Sequence, residues 1–73
     1  MKLPQLDLHG LRHHEVRNKV EEFIIREDMP VLIITGYSSA MQQIVKDVIE
    51  HHKLSWQYES CVNLGSMLIT DRI

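Results

Sequence analysis

The stretch Val31-Leu-Ile-Ile-Thr35 decides the fold of this 73-residue chain. It is apolar at every position before Thr35 and rich in β-branched residues, so it predicts a buried β-strand. Pro30 opens the run and Gly36 ends it, and both residue types commonly bound a strand. Because both faces of the strand are apolar, we expect it to lie inside a sheet as an interior parallel strand.

A helix is predicted on each side of this strand. The helix before it runs from about Arg12 to Glu27, with an apolar stripe at helical spacing formed by Val16, Val20, Phe23 and Ile24. The helix after it extends to about Lys53, and its apolar face is formed by Met41, Ile44, Val45, Val48, Ile49 and His52. Ser38 and Ser39 are both good N-caps for this second helix, and Ser39 with Gln42 fits a capping box. Arg12 is a poor N-cap.

Three further strands complete the pattern. Residues 6–9 and 55–59 alternate apolar with polar side chains, and residues 66–70 follow a turn at 63–65. The order is β-α-β-α-β-β, and right-handed crossovers place both helices on one face of the sheet. The last strand returns antiparallel to the third. We therefore expect an α/β two-layer sandwich with a four-stranded mixed sheet and one uncovered face.

Composition limits the class of protein. With 44% hydrophobic and 25% charged residues, the chain is typical of a globular protein, and its length fits a single domain over residues 1–73. A net charge of −2 excludes a polycationic nucleic-acid binder, so any phosphate contact must come from a local patch. The single cysteine, Cys61, cannot form an internal disulfide, and we expect it to be a small half-buried side chain.

No segment reaches the roughly 18 apolar residues of a membrane span, and the first residues lack the apolar core of a signal peptide. We therefore expect a soluble, cytoplasmic protein with no membrane partner.

Two polar segments follow the first two strands. Because ligands of such sheets favour the carboxyl ends of strands, we expect Asp7–Gly10 and Thr35–Ser39 to form the site. Asp7 and His9 lie two residues apart on a strand, so their side chains share a face. Together they can hold a divalent metal or pass a proton to a phosphodiester. The alternative is a solvent-facing pair, or an aspartate that fixes the following turn.

The second segment is a strand-to-helix junction. Free helix amides, the flexible backbone of Gly36 and the hydroxyls of Thr35, Ser38 and Ser39 can receive a phosphate there. Simple capping of the helix by Ser38 or Ser39 is the more economical explanation. Tyr37 can stack on a base if it points outward.

A basic cluster stands beside the first segment at the start of the first helix: Arg12, His13, His14, Arg17 and Lys19. It favours contact with phosphate groups. The alternative is a solvated helix face that four later carboxylates balance. Zinc binding is disfavoured, because no set of histidines with Cys61 has zinc-site spacing.

The chain resembles the small MutS-related (Smr) domain family in three segments. Residues 6–11, Leu-Asp-Leu-His-Gly-Leu, are similar to its opening LDLHG motif. Residues 33–36, Ile-Ile-Thr-Gly, are similar to its second motif, a strand running into T-G-x-G, although Ser38 replaces the last glycine. Gly65-Ser66 before an apolar strand resembles its closing segment.

This resemblance implies a fold like the C-terminal domain of translation initiation factor 3, binding of DNA or RNA, and an endonuclease of the nicking type that uses Mg²⁺ or Mn²⁺. Asp7 and His9 match the positions linked to nuclease function, and our hypothesis makes Asp7 a metal ligand and His9 a general acid or base. Gly10, Thr35 and Gly36 match the two motifs. Two alternatives stay open: a nucleic-acid-binding domain without catalysis, and a protein-interaction module. Weak self-association through the open face or an edge strand is compatible with each of them.

Overall fold

Four strands and two helices follow one another in the predicted order in the computed structural model, which describes residues 3–71. The strands are β1 (Gln5–Asp7), β2 (Val31–Ile34), β3 (Leu54–Tyr58) and β4 (Ser66–Asp71), and the helices are α1 (His13–Arg26) and α2 (Ser39–His51). The strands form one mixed sheet, and the two helices pack against each other and against it. The predicted four-stranded α/β sandwich is confirmed.

The order of strands across the sheet is β1-β2-β4-β3. β1 pairs with β2 in parallel, and β4 is antiparallel to both of its neighbours. The prediction that β4 runs antiparallel to β3 is confirmed. β2 is an interior strand, but the expectation of a purely parallel environment was wrong on one side. The α2 crossover leaves a gap one strand wide between β2 and β3, and β4 fills that gap.

The core lies between the helices and one face of the sheet. Val31 and Ile33 of β2 pair with Ile69 and Met67 of β4, and all four side chains are fully buried. Burial of each such side chain is worth about 1.5–3 kcal/mol. The predicted α1 stripe is buried at all four positions. On α2, four of the six predicted residues are buried, and Ile44 and His52 are half-buried.

The opposite face of the sheet is not covered by the helices. Register places Gln5 opposite Leu32 and Asp7 opposite Ile34, so these four side chains share that face. Leu32 is buried and Ile34 half-buried, whereas Gln5 and Asp7 are exposed. Asp7 therefore lies on the uncovered face at the carboxyl end of its strand, as predicted.

Some predicted boundaries and contacts were wrong. β1 ends at Asp7, so His9 belongs to a turn, and β3 begins and ends one residue earlier than predicted. α2 ends at His51 rather than Lys53, because Lys53 adopts a left-handed φ of 59° that cannot continue the helix. Cys61 is exposed rather than half-buried, because the loop that carries it runs over the surface.

The predicted capping box of α2 is also absent. Ser38, not Ser39, is the N-cap, and its side chain accepts a hydrogen bond from the Met41 amide at 3.2 Å. Gln42 does not reach back to the cap, because its side chain is bound to two loops elsewhere. α1 has Arg12 at its N-cap position with no side-chain cap, as its sequence predicts.

No helix in residues 3–71 has the length and apolar character needed to cross a membrane.

Candidate nucleic-acid interface

Three loops gather at one edge of the sheet. β1, β2 and β3 run in the same direction, so their carboxyl ends meet at the edge where β4 begins. The loops are residues 8–12, 35–38 and 59–65, and we call this end of the molecule the loop edge. The Leu8 amide donates to Ile34 O at 2.9 Å, which joins the start of the first loop to the end of β2, directly before the second loop. The two segments predicted to form a site are therefore adjacent, and a third loop joins them.

The first loop is a tight turn held by Asp7. The Leu11 amide donates to Leu8 O at 3.1 Å, and Gly10 takes the positive φ of 84° that such a turn requires at its third position. Asp7 Oδ1 accepts a hydrogen bond from the His9 amide at 2.9 Å. The carboxylate thus fixes the turn, which is the structural role considered for it above.

Asp7 and His9 nevertheless keep free functional atoms. Both residues are exposed. Within residues 3–71, neither the second carboxylate oxygen of Asp7 nor the imidazole of His9 has a hydrogen bond or ion pair. The contact between them runs from backbone amide to carboxylate, so Asp7 does not orient the imidazole of His9. The two side chains are presented to solvent as separate groups.

The second loop uses most of its polar groups internally. Thr35 is only 3% exposed, and its hydroxyl lies 2.8 Å from Gly36 O and 3.2 Å from Gly65 O, to which it can donate. Gly36 takes a φ of 68°, and Ser38 caps α2. Thr35 and Ser38 therefore shape the loop in this structure, and a direct phosphate contact from either stays a prediction. Within the predicted segment Thr35–Ser39, the residues exposed to solvent are Tyr37 and Ser39.

Gln42 ties the second loop to the third. Its Nε2 donates to Gly36 O at 2.9 Å and to Leu64 O at 2.8 Å, and its Oε1 accepts from the Tyr58 hydroxyl at 3.2 Å. The amides of Thr35 and Gly36 add two further bonds, both to Gly65 O, at 2.8 and 3.0 Å. The third loop is therefore a fixed part of the loop edge. The turn at 63–65 was visible in the sequence, but its pairing with the second loop was not.

The start of α1 carries unpaired positive charge. Arg12, His13 and Arg17 are exposed, and in the part of the chain that the structure describes none of them has a carboxylate oxygen within 4.0 Å. Arg26, at the other end of the same helix, pairs with Glu27 at 3.2 Å. Because no side chain caps α1, the partial positive charge of its first amides adds to that of the cluster.

The first turn of α1 also contains one acidic group. His14 Nε2 lies 3.9 Å from Glu15 Oε1, so the carboxylate of Glu15 is turned toward a neighbouring histidine. Lys19 lies further along the helix and is exposed. Residues two apart on a helix do not share a face, so Lys19 lies on a different flank of α1 from Arg17, and the positive charge is concentrated at the first loop and the start of the helix.

The described side chains do not form a preformed metal site. Residues 3–71 contain no group of three or more His, Cys, Asp or Glu placed to hold an ion. At the loop edge, the groups that come closest to forming such a site are the second carboxylate oxygen of Asp7 and the imidazole of His9. Mg²⁺ keeps several water ligands and is commonly held by one or two carboxylates together with substrate phosphates, so this pair alone does not make a complete site.

Comparison with known proteins adds one positive finding. The family model for the Smr domain matches residues 6–63, which include the first two loops and part of the third. Neither the curated proteins nor the solved structures that were searched gave a match. The matched segment is well over half of the chain and begins at the strand that carries Asp7 and His9. The chain therefore belongs to the Smr domain family, which is known for nucleic-acid binding and for nicking endonuclease activity.

Proposed function

We propose that this protein binds DNA or RNA at the loop edge, with a phosphodiester backbone lying against the start of α1. The observation that carries the proposal is the uncapped N-terminus of α1, flanked by Arg12, His13 and Arg17 without carboxylate partners in residues 3–71. Uncapped helix amides and unpaired guanidinium groups are the donors that phosphate oxygens accept from. Asp7 and His9, at the neighbouring turn, face the same bound strand.

The overall charge of −2 makes this binding local and weak. Few phosphates are neutralised by a cluster of two arginines and one lysine, so affinity should fall with salt with a slope of about −2 to −3 in log units. Contact through the whole surface is not expected, because the acidic residues elsewhere repel a polyanion.

A direct binding assay tests the proposal. Fluorescein-labelled RNA and DNA, each as single strand and duplex, are titrated with the protein at low salt and anisotropy is recorded. Arg12→Ala and Arg17→Ala should each weaken binding several-fold, while Arg26→Ala, on the same helix but outside the loop edge, should leave it unchanged. Absence of binding to every probe at low salt would contradict the proposal and favour a protein-interaction module.

Phosphodiester cleavage is a second candidate function. It is favoured by the exposure of Asp7 and His9 at one edge, with the imidazole of His9 and one oxygen of Asp7 unengaged within the described residues. An unengaged imidazole can accept a proton from an attacking oxygen or donate one to a leaving oxygen. The Asp7 carboxylate then has two parts: one oxygen holds the turn, and the other is available to a cation that arrives with the nucleic acid.

Cleavage is tested on supercoiled plasmid and on structured RNA, each with Mg²⁺, Mn²⁺ or EDTA. His9→Ala should abolish cleavage and leave binding intact. Asp7→Asn keeps an oxygen that can accept from the His9 amide, so it separates loss of charge from loss of the turn, which Asp7→Ala combines. If the protein binds nucleic acid but cleaves it under none of the three conditions, the cleavage proposal is wrong and the protein acts as a binding domain.

A further inference from the structure

The third loop is held in one shape by its own side chains. The Asn63 amide donates to Ser60 Oγ at 2.9 Å, Asn63 Nδ2 donates to Glu59 Oε1 at 3.0 Å, and the Gly65 amide donates to Asn63 Oδ1 at 3.2 Å. The Glu59 amide donates to Ser66 O at 2.9 Å across the base of the loop. Together with the bonds from Gln42, these contacts fix the direction in which the remaining side chains of the loop point.

Three of the exposed side chains on the second and third loops are large and apolar, alongside the exposed Glu59 and Cys61. Tyr37 is 75% exposed, Val62 is 83% exposed and Leu64 is 41% exposed. Residues 3–71 contain four exposed large hydrophobic side chains, and these are three of them; the fourth, Ile25, lies near the far end of α1. Concentration of such side chains on hydrogen-bonded loops is typical of a contact surface.

We call these three residues the apolar rim: Tyr37 lies on the second loop, and Val62 and Leu64 lie two residues apart on the third. Gly36 O and Leu64 O accept hydrogen bonds from the same nitrogen of Gln42. Gly65 is packed so closely on Gly36 that a Cβ at Gly65 would lie 3.3 Å from Gly36 Cα. Tyr37 follows Gly36 directly and Leu64 precedes Gly65, so Tyr37 and Leu64 are carried by backbone segments in contact. The rim lies beside the end of β2, and the basic start of α1 lies beyond the end of β1.

We propose that the apolar rim contacts unpaired bases, so that the site prefers single-stranded or looped segments to continuous duplex. This inference rests on the proposed function, because the same strand must reach the start of α1 with its phosphates. In a duplex the faces of the bases are stacked on one another and are closed to side chains. In an unpaired segment they are open, and stacking on an aromatic ring tolerates any base. Arg12 and Arg17, which have no carboxylate partner among the described residues, supply charge complementarity to a polyanion from the start of α1.

The test compares four probes of equal length under the same salt: a single strand, a hairpin loop, a fully paired duplex, and a single strand with abasic sites in its centre. The abasic strand keeps its phosphates and loses only the bases. The wild-type protein should bind the single strand and the loop at least about fivefold more tightly than the duplex and the abasic strand, which is the lower range for one stacked base.

Substitutions in the apolar rim test whether its side chains produce the preference for unpaired bases. Tyr37→Ser and Val62→Ser should remove the preference for unpaired bases and leave duplex affinity unchanged. Ile25→Ser is the matched control, since it removes an equally exposed apolar side chain away from the loop edge. Circular dichroism checks that each variant is folded.

The outcomes separate this inference from the proposed function. Equal affinity for all four probes, still weakened by Arg12→Ala, would overturn the role of the rim and leave nucleic-acid binding in place. No binding of any probe at low salt would overturn both. A preference that survives in Tyr37→Ser and Val62→Ser would also overturn the role of the rim.

Discussion

Gly10 adopts a backbone conformation that favours glycine. Its φ is 84°, and nothing lies within 4 Å of where a Cβ would be placed. The cost of Gly10→Ala is therefore conformational rather than steric, and we expect a loss of about 1 kcal/mol in the free energy of unfolding. Urea denaturation measures it. Gly10→Asn should lose less, because asparagine tolerates this region better. An alanine variant as stable as the wild type would contradict the turn as described.

Gln42 is the residue on which the geometry of the loop edge most depends. Its side chain is 8% exposed and makes three hydrogen bonds, two of them as a donor to backbone carbonyls. Gln42→Glu keeps the shape but turns an oxygen toward Gly36 O and Leu64 O. We expect a destabilisation of about 2 kcal/mol or more in a urea titration, because buried carbonyls lose their donor.

Tyr58→Phe is the control for this prediction. It removes one of the three bonds and leaves both donors of Gln42 in place, so a smaller loss of about 1 kcal/mol is expected. If Gln42→Glu cost no more than Tyr58→Phe, the two carbonyl contacts would not stabilise the loops.

Individual residues differ in how far the sequence could predict them. Asp7 stands in a local motif, and its role in the following turn was one of the alternatives considered, because a turn is built from neighbouring residues. The role of Gln42 was not foreseen, because a glutamine three residues after a serine fits a capping box equally well. Its partners Leu64 and Tyr58 lie 22 and 16 residues away along the chain, and no local pattern reports such contacts.

At the level of the elements, α1 begins with a charged residue, Arg12, at a position where a capping residue would make the helix more stable. Arg12 occupies an N-cap position without capping the helix. Arg12→Ser supplies a capping oxygen for a first-turn amide, so we expect a gain of about 1 kcal/mol in the free energy of unfolding. The same change removes a guanidinium from the proposed interface and should weaken nucleic-acid binding several-fold. Thermal unfolding and anisotropy titrations on one preparation measure both effects.

Arg12→Ala separates these two effects, because it removes the charge without adding a cap. It should weaken binding about as much as Arg12→Ser and should not raise stability. A serine variant that is less stable than the alanine variant would show that this end of α1 is not open to capping.

The helices were predicted more closely than the strands. A stripe such as Val16, Val20 and Phe23 repeats over several turns, and each turn adds evidence for the same helix. β1 has three residues and β2 has four, so a single flanking residue shifts a boundary noticeably. The end of α2 was missed because Lys53 is left-handed without being a glycine, which no composition rule indicates.

At the scale of the whole molecule, the position of β4 between β2 and β3 could not be predicted from the sequence. Alternation and chain direction follow from local patterns, but the neighbours of β4 depend on whether the α2 crossover leaves a gap between β2 and β3. The outcome matters for function, since β4 begins beside the end of β2 and so brings the third loop against the second. The candidate site, expected from two loops, therefore adjoins a third, and the residues of the apolar rim are divided between the second and third loops.

Which charged side chains are paired with one another is determined by the fold and not by the net charge. The net charge of −2 argues against a polycation, yet among residues 3–71 Arg12 and Arg17 have no carboxylate partner, whereas Arg26 is paired with Glu27. A small unpaired cluster on an acidic molecule predicts binding that is weak, local and sensitive to salt.

The most direct test of nucleic-acid binding at the loop edge is the salt dependence of the dissociation constant for a single-stranded RNA. The wild-type protein and Arg26→Ala should share a slope of about −2 to −3 in log units, and the Arg12→Ala/Arg17→Ala double variant should be shallower by about 1 to 2 units, since each removed cation subtracts somewhat under one unit. Equal slopes for the double variant and the wild type, or no binding at low salt, would contradict the account.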